Sequence, residues 1–139
     1  MQALLIAAMV WISGATGLPV PNAVPEVVHV TPREMATLAH PEGNYDSTMA
    51  RSYLALYHAK SGTILLRHGW DAGDLRDRSI LVHELVHHMQ ATSGRRYPCR
   101  GARERVAYEA QAGWLEERGG DLFEVLGLNG LFYHALTRC

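Results

Sequence analysis

Within residues 79–90, SILVHELVHHMQ, three histidines and a glutamate interrupt an apolar run. On a helix, at about 100° per residue, Leu81, Val82, Leu85, Val86 and Met89 fall in one arc of about 140°, wide enough to face a core. His83, Glu84, His87 and His88 fall in the opposite arc, so the histidines are not needed to pack that side. His83 and His87 stand four residues apart, one turn along the axis and about 40° apart around it. Two imidazole nitrogens so placed can reach one ion at about 2.0–2.1 Å. Glu84 lies about 100° from His83, beside such an ion rather than aimed at it. There a carboxylate can hold and deprotonate water activated by the metal, which is the mechanical content of the H-E-x-x-H pattern, here HELVH. His88 is badly placed for a third ligand and suits an outer or surface position. The competing reading is an amphipathic helix with incidental histidines and no metal.

A catalytic zinc usually takes three protein ligands and leaves one position open. The stretch ERVAYEAQAGWLEE, residues 104–117, is the obvious source of the third. On a helix from Ala102 to Arg118, Glu109 shares its face with Ala102, Val106, Ala112 and Gly113. Their small side chains would let the backbone approach the histidine helix and let Glu109 reach the ion, so Glu109 is the expected ligand. The alternative is a tight helix–helix contact with Glu109 in a salt bridge. Glu104 lies about 140° from Glu109 on the wheel, so both cannot face the metal. Glu116 shares the Glu109 face and is the alternative ligand, or the carboxylate that holds a distal imidazole N–H. An oxyanion would need a further donor, for which Tyr97, Tyr108, His88 and His134 are candidates.

Other elements must position these groups. Val27–Val30 is short and β-branched, and reads as a strand. Thr31-Pro-Arg-Glu34 carries a capping threonine, a proline at the first helical position and the glutamate of a capping box, for a helix ending near His40. PEGNYDS, residues 41–47, reads as a loop. Tyr53–His58 and Thr63–Arg67, joined through Lys60–Gly62, read as a β-hairpin. Asp74 or Asp77 can cap the histidine helix, which should run to about Thr92. The Glu-bearing helix should stop at Gly119-Gly120, and a last helical region, broken near Gly127–Gly130, should end by Thr137. The fold class is α+β.

The chain of 139 residues, 47% hydrophobic, suits one domain with a real core. Its formal net charge of −1 gives no global field for nucleic acid or an anionic membrane. Of its 13 basic residues all but Lys60 are arginine, scattered apart from Arg95-Arg96 and the group Arg100, Arg103 and Arg105. Residues 1–17 resemble a secretory signal: an apolar run from Ala3 to Ile12, too short to span a bilayer, then small residues that suit a signal peptidase after Ala15 or Gly17. This predicts an exported protein, with no stable membrane insertion once the signal is removed. An uncleaved N-terminal anchor or a buried apolar strand is the alternative. Residues 18–26, with three prolines, read as an extended linker, and 27–139 as the single domain. Cys99 and Cys139 suit one disulfide if the protein is exported and two thiols if it is not.

With these residues in view, the chain resembles the gluzincin group of zinc metallopeptidases, closest to small exported bacterial H-E-x-x-H proteins of unassigned function. The resemblance rests on HELVH at His83–His87 and EAQA at Glu109–Ala112, and spans about Tyr53 to Arg118. It implies a minimal zincin-like domain, a short hairpin or sheet packed on the H-E-x-x-H helix with a Glu-bearing helix behind. It implies Zn2+ held by His83, His87 and Glu109, with Glu84 as general base, acting on a peptide or protein substrate. It further implies that an edge strand of the hairpin, Thr63–Arg67, pairs with an extended peptide. The metzincin extension is missing, since Gln90 and Ser93 stand where its glycine and histidine would be. A large C-terminal lobe is missing too. The competing functions are a zinc-binding, non-catalytic module on a peptidase-like scaffold, hydrolysis of a non-peptide amide, and a metal-free helical protein.

Overall fold

In the computed structural model, which describes residues 1–43 and 53–139, a three-stranded sheet packs beside six helices, an α+β arrangement among the described residues. In chain order these are α1 (Gln2–Thr16), β1 (Glu26–Val30), α2 (Pro32–Ala39), β2 (Ala55–His58), β3 (Thr63–Arg67), α3 (Leu75–Ser93), α4 (Arg100–Glu116), α5 (Leu122–Leu126) and α6 (Gly130–Thr137). The part of the expected PEGNYDS loop beyond Gly43 lies outside the described residues.

Local signals account for most boundaries. The capping box at α2 forms in full: Thr31 Oγ1 accepts from the Glu34 N–H at 3.1 Å, and Glu34 Oε2 accepts from the Thr31 N–H at 3.1 Å. Asp74 caps α3 by accepting from the Asp77 N–H, and Gly94 closes it in the left-handed region at φ 67°. Asp77 has another partner, accepting from the Asp71 N–H at 2.8 Å. The β2–β3 hairpin forms with Gly62 at its turn, φ +67°, where a side chain would be strained.

The sheet order β1-β3-β2 corrects one expectation. Thr63–Arg67 is not an edge: β1 pairs with it in parallel from Glu26↔Thr63 to Val30↔Arg67, and β2 pairs on its other side. Both faces of this strand are covered, Ile64 and Leu66 by the main core and Leu65 by a second cluster with Val30 and Met35, which accounts for its unbroken apolar run. Among the described residues β1 and β2 are the edge strands, and β2 is the one that meets α3.

The main core lies where α1, α3 and α4 meet the sheet, around Ile64, Leu66, Leu81, Leu85, Met89, Ala107, Trp114 and Leu115. The apolar arc of α3 faces this core as its spacing requires. The N-terminal segment folds as α1, with Leu5, Met9 and Ile12 buried in the same cluster. Trp11 Nε1 donates to Glu117 Oε2 at 2.9 Å, and Leu18, at the start of the proline-rich stretch, is fully buried. Among the described residues no helix is long and apolar enough to cross a membrane.

Cys99 and Cys139 form a disulfide that ties the chain end to the start of α4. Beside it, Gly101 is buried against the backbone of Arg138, and a Cβ at 101 would collide with the Arg138 carbonyl group. Alanine is the better helix former by about 1 kcal/mol, but backbone cannot yield as a flexible side chain can. Gly101→Ala is therefore expected to lower stability by about 1–3 kcal/mol, read as a fall in thermal midpoint with the disulfide intact. An unchanged or raised midpoint would show that the C-terminal tail is not held there.

Candidate metal centre

His83, on the buried side of α3, and His87, one turn later, turn their Nε2 atoms toward each other at 3.2 Å. Glu104, from the first turn and a half of α4, places Oε2 3.1 Å from His83 Nε2 and 2.8 Å from His87 Nε2. Three atoms bound to one zinc at about 2.0–2.1 Å with tetrahedral angles would stand about 3.3–3.4 Å apart, so the triangle has nearly the right size for such an ion. Among the described residues these three form a group that could hold a metal.

The far nitrogens fix the ring orientation. His83 Nδ1 lies 3.0 Å from Gln111 Oε1, and His87 Nδ1 lies 2.9 Å from Gln90 Oε1. Each amide is turned by a second bond. Gln111 Nε2 donates to Ser79 Oγ at 3.0 Å, and Gln90 Nε2 donates to the Arg103 carbonyl at 3.0 Å. With the amide nitrogens so used, both Oε1 atoms are acceptors, and each imidazole must present an Nδ1–H to them. In the neutral rings both Nε2 atoms then carry bare lone pairs, aimed at each other and at a carboxylate. Only positive charge can hold such a group together. A proton can sit in one of the three gaps, whereas a divalent cation satisfies all of them.

The electrostatics have the same origin. Burial works against charging His87, but the hydrogen bond that a charged ring donates to Glu104 and the nearby Glu84 and Glu104 charges outweigh it and raise its pKa. Burial likewise works against a charged Glu104, yet its bonds to both histidines hold it well below the usual carboxylate range. Outer partners of ligand histidines set tautomer and aim, and losing one typically weakens metal binding about 10–100-fold. That loss is expected for Gln111→Met and for Gln90→Met, which keep the volume and remove the acceptor, measured by competition with a chromogenic chelator. Affinities unchanged in both would refute the tautomer assignment.

The structure brings His83 and His87 together as their spacing requires, but leaves Glu109 exposed, away from them. Its charge is felt instead at Tyr133, whose pKa is raised first by burial and then by Glu109. The stripe of α4 that carries Glu104 also carries Tyr108 and Gln111, which meet His83, with Ala107 and Leu115 buried in the main core. The Gly113 side of the helix faces α1, where a Cβ at 113 would stand 3.7 Å from the Trp11 ring. The small residues around Glu109 thus reflect helix packing, and the third corner of the triangle is Glu104. Glu116 is also exposed, and the amides of Gln90 and Gln111 take the orienting role considered for it. One signal was present: Glu104-x-x-Ala107 repeats the E-x-x-A pattern of Glu109-x-x-Ala112, 17 rather than 22 residues after His87.

Glu84 stands outside the triangle. Its Oε2 accepts from the Tyr57 N–H of β2 at 2.8 Å, which leaves Oε1 for other chemistry. A cleft of about 1010 Å3 opens over the group, with Ala55–Tyr57 on one side and the N-terminal part of α4 on the other. Of the oxyanion candidates, Tyr97 and Tyr108 line this cleft. Tyr108 packs edge-on to His83, 4.4 Å between centroids, and its pKa is pushed up to about 12 by burial and then by the Glu104 and Glu84 charges, so it stays a hydroxyl donor. His134 is exposed. His88 is buried against Tyr57, with no hydrogen-bond partner among the described residues for either ring nitrogen, and is not a surface group.

No curated protein and no solved structure shows significant similarity to the chain. A family model does match it, over residues 1–124, a stretch that contains α1, the sheet, His83, Glu84, His87 and Glu104. By that match the chain belongs to the family described as a domain of unknown function, DUF6647.

Proposed function

We propose that the protein is a zinc-dependent hydrolase, a small exported metallopeptidase with a minimal zincin-like fold that cleaves peptide bonds. The observation that carries this reading is the convergence of His83 Nε2, His87 Nε2 and Glu104 Oε2 at 2.8–3.2 Å from one another. Two histidines and a carboxylate suit zinc, and three protein ligands leave a position open for chemistry. When bound, the ion would act as a Lewis acid, acidifying water and polarising a carbonyl oxygen.

The chain's own residues would do the rest. Glu84 sits next to the triangle without belonging to it, held by the Tyr57 N–H. Its free oxygen can take a proton from water and pass it to a leaving amine, the two halves of general acid–base catalysis. Tyr108, hydroxyl intact at working pH, can donate to an oxygen on which negative charge develops. The edge of β2 that borders the cleft, where the Tyr57 N–H already meets Glu84, is the place for an extended peptide, rather than Thr63–Arg67. Export is supported by the Cys99–Cys139 disulfide, which is at home in an oxidising compartment.

The test combines metal content with cleavage. The purified protein is expected to hold one zinc per chain and to cleave members of an unbiased peptide library, with cleavage abolished by a chelator and restored by zinc. One zinc per chain with no chelator-sensitive cleavage would leave the non-catalytic binding module. No bound metal would end the reading.

A further inference from the structure

The cleft over the triangle is lined by four arginines, Arg95, Arg100, Arg103 and Arg138, all exposed. None of them forms a salt bridge among the described residues. Among the described residues the only carboxylates in the lining are Glu84 and Glu104, and both are engaged, one with the Tyr57 N–H and the other with the two histidines. Four arginines therefore line a space where, among the described residues, no carboxylate is free to neutralise them, in a protein whose formal net charge is −1. The arrangement is built into the fold. Arg95 lies in the connection after α3, and Arg100 and Arg103 lie on the first turn of α4. Arg138 is brought alongside by the Cys99–Cys139 disulfide and by the seat that its backbone finds on Gly101.

We infer that the cleft selects acidic polypeptide, with aspartate or glutamate side chains near the bond to be cut. Arginine's planar fork matches a carboxylate bidentately, and a cleft lined by one sign of charge concentrates ligands of the other. A peptide fits better than a nucleic acid for two reasons. The cationic groups line a cleft bordered by the main chain of β2, and the rest of the chain carries no basic excess. The inference rests on the reading of the site as a peptidase cleft and names its substrate class.

The test uses the full-length chain carrying Glu84→Gln, loaded with zinc, and three labelled peptides of one length: acidic, the same with Gln and Asn in place of Glu and Asp, and the same with Lys. By fluorescence anisotropy in 50 mM salt the acidic peptide is expected to bind about tenfold tighter than the neutral one, and the advantage should shrink several-fold in 500 mM salt. Arg95→Gln with Arg103→Gln, both at exposed side chains, should remove most of that advantage and leave the neutral peptide unchanged. Equal binding of acidic and neutral peptides overturns the proposal, as does an oligonucleotide of matched charge that binds more tightly than the acidic peptide. Charge-selective binding, with no cleavage of any of the three by wild-type protein, would keep the acidic preference and discard the hydrolase. Cleavage by wild-type protein that is indifferent to peptide charge would do the reverse.

Discussion

Glu104→Ala is expected to lose the metal, and Glu109→Ala to keep it. The two glutamates lie on one helix, and each begins an E-x-x-A element, but only Glu104 reaches the histidines, at 3.1 and 2.8 Å. Removing it leaves two neutral imidazoles with no anionic partner for a divalent ion. The loss should exceed the roughly 10–100-fold typical of an outer partner, so zinc affinity is expected to fall by at least about 100-fold, equivalent to about 2.7 kcal/mol. Stability gives a second readout, because a ligand bound only by the native state stabilises it by about 2.7 kcal/mol at 100 times its dissociation constant. Zinc should therefore raise the melting temperature of wild-type protein and of Glu109→Ala, and leave that of Glu104→Ala nearly unmoved. Zinc bound by Glu104→Ala as tightly as by wild type would remove Glu104 from the site. The same loss in Glu109→Ala would reinstate it as a ligand.

The difference between these two glutamates shows how far residue spacing reaches. His83 and His87 are local: one helical turn relates them, so their four-residue interval fixed their convergence before any packing was known. The capping box at Thr31 and the hairpin turn at Gly62 are local in the same sense, and both formed as expected. The third ligand depends on how α4 is rolled against α3, which no residue interval within α4 decides. Small residues border both glutamates on that helix, Gly101 and Ala107 on either side of Glu104, and Ala112 and Gly113 on either side of Glu109. The second pair packs near Trp11 of α1, a helix expected to be removed as a leader rather than to pack. Without α1 as a neighbour, the Ala112/Gly113 side had no occupant except the histidine helix, and Glu109 followed from that. The place of Thr63–Arg67 was missed for a related reason. Its pairing with β1 is parallel and bridges a stretch of chain that includes all of α2 and β2, so nothing short-range marks it. Its unbroken apolar run was the one available sign of a central strand.

Glu84→Gln is expected to leave zinc binding within a few-fold of wild type and to lower kcat by about 10²–10⁴. The substitution is chosen for what it preserves. Glutamine keeps the length of the side chain and an acceptor oxygen for the Tyr57 N–H, a bond of 2.8 Å in the native protein, so the position of β2 beside the cleft should not change. It removes the second acceptor oxygen and nearly all basicity, since an amide presents N–H donors where the carboxylate presented lone pairs. Glu84 makes no contact with the three converging atoms that the metal would use, so affinity for the ion has little reason to fall. KM should change less than kcat, because the free oxygen acts on a proton in flight rather than on bound substrate. Glu84→Ala serves as the contrast: it also strips the Tyr57 N–H of its partner and should disturb both constants. A kcat for Glu84→Gln within tenfold of wild type would take the general-base role away from Glu84, even with the metal centre intact.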